Sequence, residues 1–289
     1  MGFTSTLRYG VFGLALSAIA APAWSFGIGL QPTTVEISVQ PGDRQRQVIN
    51  LGNVHQEDTI ALTLGLADWG LDADGQIQLN PPGDSETSAA EWVRFSPAFV
   101  TLKPGETEQI IVDMAAPIRV DREGDYRFAL IASTLLPEER SGQSGVWKKY
   151  QIASLFYLTM GEAESKPEIK QATLSVSPEG EQMLSFDLTN SGSAHARLRG
   201  EIEISGDSGE TIKEPISNLV VLNEGERTYR LPLNADLPAN PEVRVTLENI
   251  FAPQSATGAV MLEPFQSDLA FEETALSTGT ASDEETALD

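Results

Sequence analysis

The chain has 289 residues, with 19 basic against 42 acidic side chains, two histidines and no cysteine. A net charge of -23 opposes nucleic-acid binding, which depends largely on neutralising phosphates, and electrostatic docking on an anionic membrane. Without cysteine there is no disulfide framework, thiol nucleophile or iron–sulfur cluster, and two histidines leave little for a zinc site. An apolar fraction of 40% suffices to bury a core, and the length suggests roughly two domains.

Residues 1–25 read as a secretory signal peptide. Arg8 gives a basic start, Gly10 to Ala21 an apolar run, and Ala23-Trp24-Ser25 the small residues of a cleavage point before Phe26. The run is shorter than the ~20 residues of a membrane span, so an uncleaved anchor is the weaker reading and the periplasm the expected compartment. Beyond it, short runs of β-formers alternate with turns. Gln47 to Leu51 breaks at Gly52-Asn53, and Thr59 to Leu66 leads to Asp74-Gly75, the turn of a hairpin into Gln76 to Leu79. Phe99 to Leu102 precedes the turn Lys103-Pro104-Gly105-Glu106. Gln109 to Met114 and Tyr126 to Leu135 follow, then a polar loop over Glu138 to Gly145, and Trp147 to Met160 closes the first half. Strands at this spacing imply an antiparallel sandwich.

Gly161 to Pro167 is a polar hinge. After it come Thr173 to Val176, Met183 to Leu188, Leu198 to Ile204, Leu219 to Leu222, Arg227 to Leu233, Val243 to Leu247 and Ala259 to Leu262, the strand count of an immunoglobulin-like sandwich. From Glu263 onward there are eight acidic residues and no Lys or Arg, which predicts a disordered tail whose removal leaves stability nearly unchanged. The expected organisation is therefore all-β: a signal at 1–25, sandwiches at 26–160 and 168–262 joined by the hinge 161–167, and a tail at 263–289.

Catalytic chemistry is scarce. Ser144 lies in Gly142-Gln143-Ser144-Gly145-Val146, without the second glycine of a nucleophile elbow. Asp72-Ala73-Asp74-Gly75 hints at a calcium loop, but an EF-hand register would place Pro81 where the last carboxylate is needed. His55 and His195 are read as surface turn residues, since no partner serine for a triad is evident. Trp69 and Trp92 pack in or over the core, with a carbohydrate or peptide platform as the alternative. The tail could bind cations or a basic partner, with a solvated tail as the default. The expectation is a non-enzyme with no cofactor and no metal.

Several segments, in order and spacing, resemble the amino-terminal domain of the PapD-like periplasmic chaperones that assemble pili. Gly29-Leu30-Gln31-Pro32-Thr33-Thr34-Val35-Glu36-Ile37 is similar to that family's opening strand, with Gln40-Pro41-Gly42 as the turn after it, and Val48 to Asn53 to its second strand. Trp92 to Pro97 with Leu102 to Glu106, Ala116-Pro117 to Arg127, Leu136-Pro137, and Ser154-Leu155-Phe156-Tyr157 resemble later family segments; the match covers about residues 28–160. The resemblance implies a chaperone that lends a strand to an incomplete pilus subunit, with no cofactor or ATP and with an outer-membrane usher as a candidate second partner. Such strand addition combines main-chain hydrogen bonds at a sheet edge with pockets for alternate side chains.

By that resemblance the lent strand is Trp147 to Leu158, with Trp147, Lys148, Lys149, Tyr150, Ile152, Ser154 and Phe156 as client-pairing residues. The family's basic carboxylate anchors fall on Thr34 and Ser154, so the charge-assisted anchor is replaced by hydroxyls. Glu123 retains an acidic interdomain partner, whereas the basic residue after the tyrosine is replaced by Leu158. Lys148 and Lys149 could recognise a carboxylate at a shifted position or simply blunt a solvated edge. The second half carries no family motif: its Asn190-Ser191-Gly192 turn and Gly206-Asp207-Ser208-Gly209 hairpin are generic. A structural or adhesive exported protein that kept the fold without donation is the alternative.

Overall fold

The computed structural model describes residues 27–137, 147–176, 181–207, 209–233, 237, 240–251, 260–262, 265–268 and 270–273. The signal expected at 1–25, the loop carrying Ser144 and the last part of the tail lie outside the described residues. The first sandwich comprises β1 (Ile28–Gln31), β2 (Thr34–Val39), β3 (Arg44–Asn53), β4 (Ile60–Leu71), β5 (Ile77–Asn80), β6 (Val93–Ser96), β7 (Phe99–Leu102), β8 (Thr107–Ala115), β9 (Gly124–Pro137) and β10 (Trp147–Met160). The second comprises β11 (Pro167–Val176), β12 (Gln182–Asn190), β13 (Ala196–Ser205), β14 (Thr211–Val221), β15 (Gly225–Leu233), β16 (Glu242–Asn249), β17 (Val260–Met261), β18 (Phe265–Asp268) and β19 (Ala270–Glu273).

In β3, Ile49, Leu51 and Asn53 are buried while Arg44, Arg46, Val48 and Asn50 face water. This period of two turns alternate residues to one face, so the amphipathic pattern dictates which face meets the partner sheet. One sheet of the first sandwich runs β1-β3-β8-β6; the facing sheet runs β2-β10-β9-β4-β5, with β7 also on β4. Between them lie Leu30, Ile49, Leu51, Leu62, Ile110, Val112, Leu130 and Leu158, and Phe128 stacks on Phe156 at 4.3 Å between ring centroids. Each such fully buried apolar side chain contributes about 1.5–3 kcal/mol. The expected Asp74-Gly75 turn is present between β4 and β5: Gly75 N–H donates to Asp72 O at 2.9 Å. The Trp69 ring is buried against Tyr157, and Trp92 packs against Tyr126 beside the core.

The second sandwich pairs β15-β12-β11-β19 with β14-β13-β16-β17, and β18 also lies on β16. Its core gathers Leu174, Leu184, Phe186, Leu198, Ile202, Ile204, Val243, Val245 and Leu247. Two expectations need correction. β14 begins at Thr211 rather than Leu219, its first half being masked in the sequence by the polar run Lys213-Glu214-Pro215 of an exposed edge. The tail does not begin at 263: β18 pairs antiparallel with β16, Val245 opposite Phe265, and β19 pairs parallel with β11, Thr173 opposite Ala270. Backbone hydrogen bonding to two waiting edges outweighs an acidic composition there. No helix among the described residues is long and apolar enough to cross a membrane.

Candidate functional site

β10 pairs antiparallel with β9 along its whole length, from Trp147 opposite Pro137 to Met160 opposite Gly124. Its other side is occupied by β2 only from Leu155 opposite Thr34 to Met160 opposite Val39. Residues 147–154 thus have a single strand neighbour among the described residues, an edge about 26 Å long at ~3.3 Å per residue. The reason lies at Pro32. It has no N–H to continue a ladder, and the chain crosses there to the facing sheet, where β1 pairs with β3. Leu155 N–H donates to Thr33 O at 2.9 Å. Since alternate residues of a strand turn N–H and C=O the same way, residues 153, 151, 149 and 147 present theirs to the open side.

Three other long strands have one-sided stretches that are blunted. β14 carries Pro215 and a register shift against β13. β15 carries Pro232, and its Thr228 N–H is taken by Ala73 O at 2.7 Å. The one-sided part of β11 carries Pro167 and a register shift beyond Ile169. Proline and bulges are common devices against unwanted edge pairing, and residues 147–154 of β10 contain neither.

The expected client-pairing residues separate into two groups. Trp147 and Lys148 stand on the open stretch opposite Pro137 and Leu136. Lys149 is exposed, Tyr150 is half-buried, and Ile152 is half-buried against the first core. Phe156 is instead interior, flanked by both β9 and β2 and stacked on Phe128, so it is not available to a client. Ser154 is fully buried and its Oγ donates to Pro32 O at 2.7 Å. That bond commits the hydroxyl inside the protein, at a position where the resemblance places one of the family's basic anchors. Thr34 is exposed beside it, opposite Leu155. Glu123 accepts the Glu162 N–H at 3.0 Å and so fastens the hinge turn.

The end of β10 remote from the open edge enters a buried ion cluster shared by the two sandwiches. His195, read from sequence as a surface turn residue, is 0% exposed and belongs to this cluster. Its Nδ1 and its backbone N–H each lie 2.6 Å from Asp125 Oδ2, and Thr159 Oγ1 donates to Asp125 Oδ1 at 2.7 Å. On the other side, His195 Nε2 is 3.6 Å from Glu36 Oε1, which also accepts Arg197 Nε at 2.8 Å. Tyr157 and Phe251 lie against the imidazole at 4.2 and 4.1 Å between centroids. Burial alone would favour neutral forms, but hydrogen bonds and charge from Asp125 and Glu36 outweigh it and hold the His195 pKa above its ordinary value. Both carboxyls are correspondingly held below theirs, against the opposing effect of burial, by His195 and, for Glu36, also by Arg197. Burial pushes the Tyr157 phenol up to about 12.

Further contacts fix the joint. Buried Arg127 donates to Asn223 Oδ1, Arg122 pairs with Glu224 at 3.0 Å, and Asp74 of the β4–β5 turn pairs with Arg230. Gly124 (φ 132°) allows the approach: a Cβ there would meet Ser193 O at 2.6 Å. Asp125, Glu36, Arg197 and Asn223 were not singled out from the sequence. The available signal was Ala194-His195-Ala196, a histidine flanked by two small residues that are fully buried.

Pairing and burial together define a protein of two β-sandwiches in series, joined by a buried ion cluster and bearing, along residues 147–154 of β10, an eight-residue one-sided edge free of proline and bulges. No family model matches the chain, and no curated protein matches it. Among solved structures, the chain is similar to the class 5 fimbriae chaperone CfaA at 12% identity, covering 81% of this chain and 97% of that one with a TM-score of 0.43. It is similar to the YadV chaperone at 13% identity, covering 83% and 100%, TM-score 0.43. A chain of the Salmonella enterica SafA pilin–SafB chaperone complex matches at 11% identity, covering 85% and 97%, TM-score 0.41.

Proposed function

We propose that the chain is a non-enzymatic periplasmic chaperone that captures an extended segment of another exported polypeptide by adding it as a strand beside residues 147–154. The open, proline-free edge of β10 is the observation that carries this reading. Four residues there offer N–H and C=O pairs to a newcomer, and main-chain bonding of this kind supplies affinity without cofactor or ATP. The sequence resemblance over residues 28–160 supports fimbrial, pilus or related secreted subunits as the client class and an outer-membrane usher as a second partner.

Gln151→Pro tests the reading. Residue 151 turns its N–H to the open side, so proline removes one donor and obstructs the newcomer while leaving the β9 ladder intact. Client capture, measured by co-purification from the exporting host and mass spectrometry, is expected to fall about tenfold or more, ~1.4 kcal/mol, with an unchanged unfolding midpoint. Undiminished capture by the variant would remove the edge from the mechanism.

The commitment of Ser154 to Pro32 O, with no basic residue at position 34 or 154, favours a second reading: an exported structural or adhesive protein that receives no client. Such a protein purifies alone or self-associated, whereas a chaperone yields a one-to-one complex.

A further inference from the structure

We propose that the joint between the sandwiches is a proton-operated lock: His195 of the second sandwich, seated between Asp125 and Glu36 of the first, holds the two together while its ring is charged and loosens them when it is neutral. The inference is independent of whether β10 receives a client.

The geometry itself selects the charged ring. Both imidazole nitrogens face carboxylates, Nδ1 toward Asp125 at 2.6 Å and Nε2 toward Glu36 at 3.6 Å. A neutral imidazole donates from only one nitrogen and turns a lone pair outward from the other. One of the two carboxylates would then confront that lone pair, either Asp125 in a fully buried site or Glu36 at its partly exposed rim. The imidazolium donates to Asp125 and turns its second N–H, rather than a lone pair, toward Glu36 at 3.6 Å. Charge balance agrees: His195 and Arg197 are the cations in direct contact with Asp125 and Glu36, so loss of the His195 proton leaves fully buried Asp125 without a cation against it.

The groups facing the ring come from five elements. Asp125 stands on β9, Glu36 on β2, Tyr157 and Thr159 on β10, Arg197 on β13, and Phe251 follows β16. Arg127, two residues along β9, is directed to Asn223 and Thr87 instead. Tyr157, with its pKa pushed up to about 12, stays neutral over the working range. His195 is therefore the group of the cluster that loses its charge as pH rises above the ordinary imidazole value. Its raised pKa means that its stabilisation is complete below the unfolded value of about 6.5 and is lost as pH rises through the folded value. The lowered carboxyls act oppositely, contributing above about 4.5 and losing their contribution as pH falls. The joint is tightest between these limits and opens first toward alkali.

The chain has no cysteine and only two histidines, which makes the test direct. Spin labels at Gln109→Cys on the first sandwich and Glu226→Cys on the second, both exposed positions, report the interdomain distance in the full chain. His195 is titrated in parallel by NMR and assigned by the signal lost in His195→Gln. The expected result is a narrow distance distribution at about pH 6 that broadens toward about pH 9, with a midpoint that tracks the His195 titration above the ordinary imidazole value of ~6.5. Glu36→Gln, at a partly exposed position that tolerates substitution, should lower both midpoints together. A distribution that stays the same while His195 titrates, or a His195 midpoint at or below ~6.5, would overturn the lock.

Discussion

Asp125→Ala is expected to lower the unfolding free energy by about 3–5 kcal/mol, because removing one partner of a buried pair leaves the other uncompensated. Asp125 is 0% exposed and accepts three donors: the His195 ring, the His195 backbone N–H and the Thr159 hydroxyl. All three lose their acceptor at once, and the last two have no second charge state to retreat to. The imidazole does, so part of the penalty appears as a lower His195 pKa rather than as lost stability. Urea unfolding of the full chain at about pH 6 measures the first and NMR titration the second. Thr159→Val, which deletes one donor of the three, should cost only about 1 kcal/mol. Equal stability of wild type and Asp125→Ala would show that the cluster contributes nothing to holding the fold.

The second large effect is expected from deleting 263–289. Composition alone predicts no consequence, but β18 and β19 lie within that segment and cover parts of the β16 and β11 edges. Truncation after Leu262 removes both ladders and bares the backbone groups of two edges together. At about 1 kcal/mol per hydrogen bond, a loss on the order of a few kcal/mol is expected, read as a lower thermal midpoint. Light scattering should also reveal association that grows with protein concentration, since bared edges pair with other chains. A truncated chain that stays monomeric with an unchanged midpoint would return the whole segment to the status of a passive tail.

The legible parts of the sequence were those where local pattern and tertiary environment agree. Alternation in Gln47 to Leu51 and the run Val243 to Leu247 mark β3 and β16 because one face meets a core. β18 and β19 were hidden because the decisive contribution comes from distant edges, which acidic composition does not encode. The open stretch of β10 was readable only through resemblance: nothing within Trp147 to Ser154 says that β2 stops at Thr34, a boundary set by Pro32 more than a hundred positions earlier. His195 failed for a related reason. A polar residue beside a turn is usually solvated, and its burial depends on Asp125 and Glu36 arriving from the other sandwich.

The crossing at Pro32 has one more consequence. Any guest chain laid along β10 meets a doorstop there, because β2 already occupies the next position on the same line. At the Trp147 end no comparable barrier stands among the described residues. Guests of unequal length would consequently be justified like lines of type against one margin, flush at Ser154 and ragged beyond Trp147, so the protein would measure where a segment ends rather than how long it is.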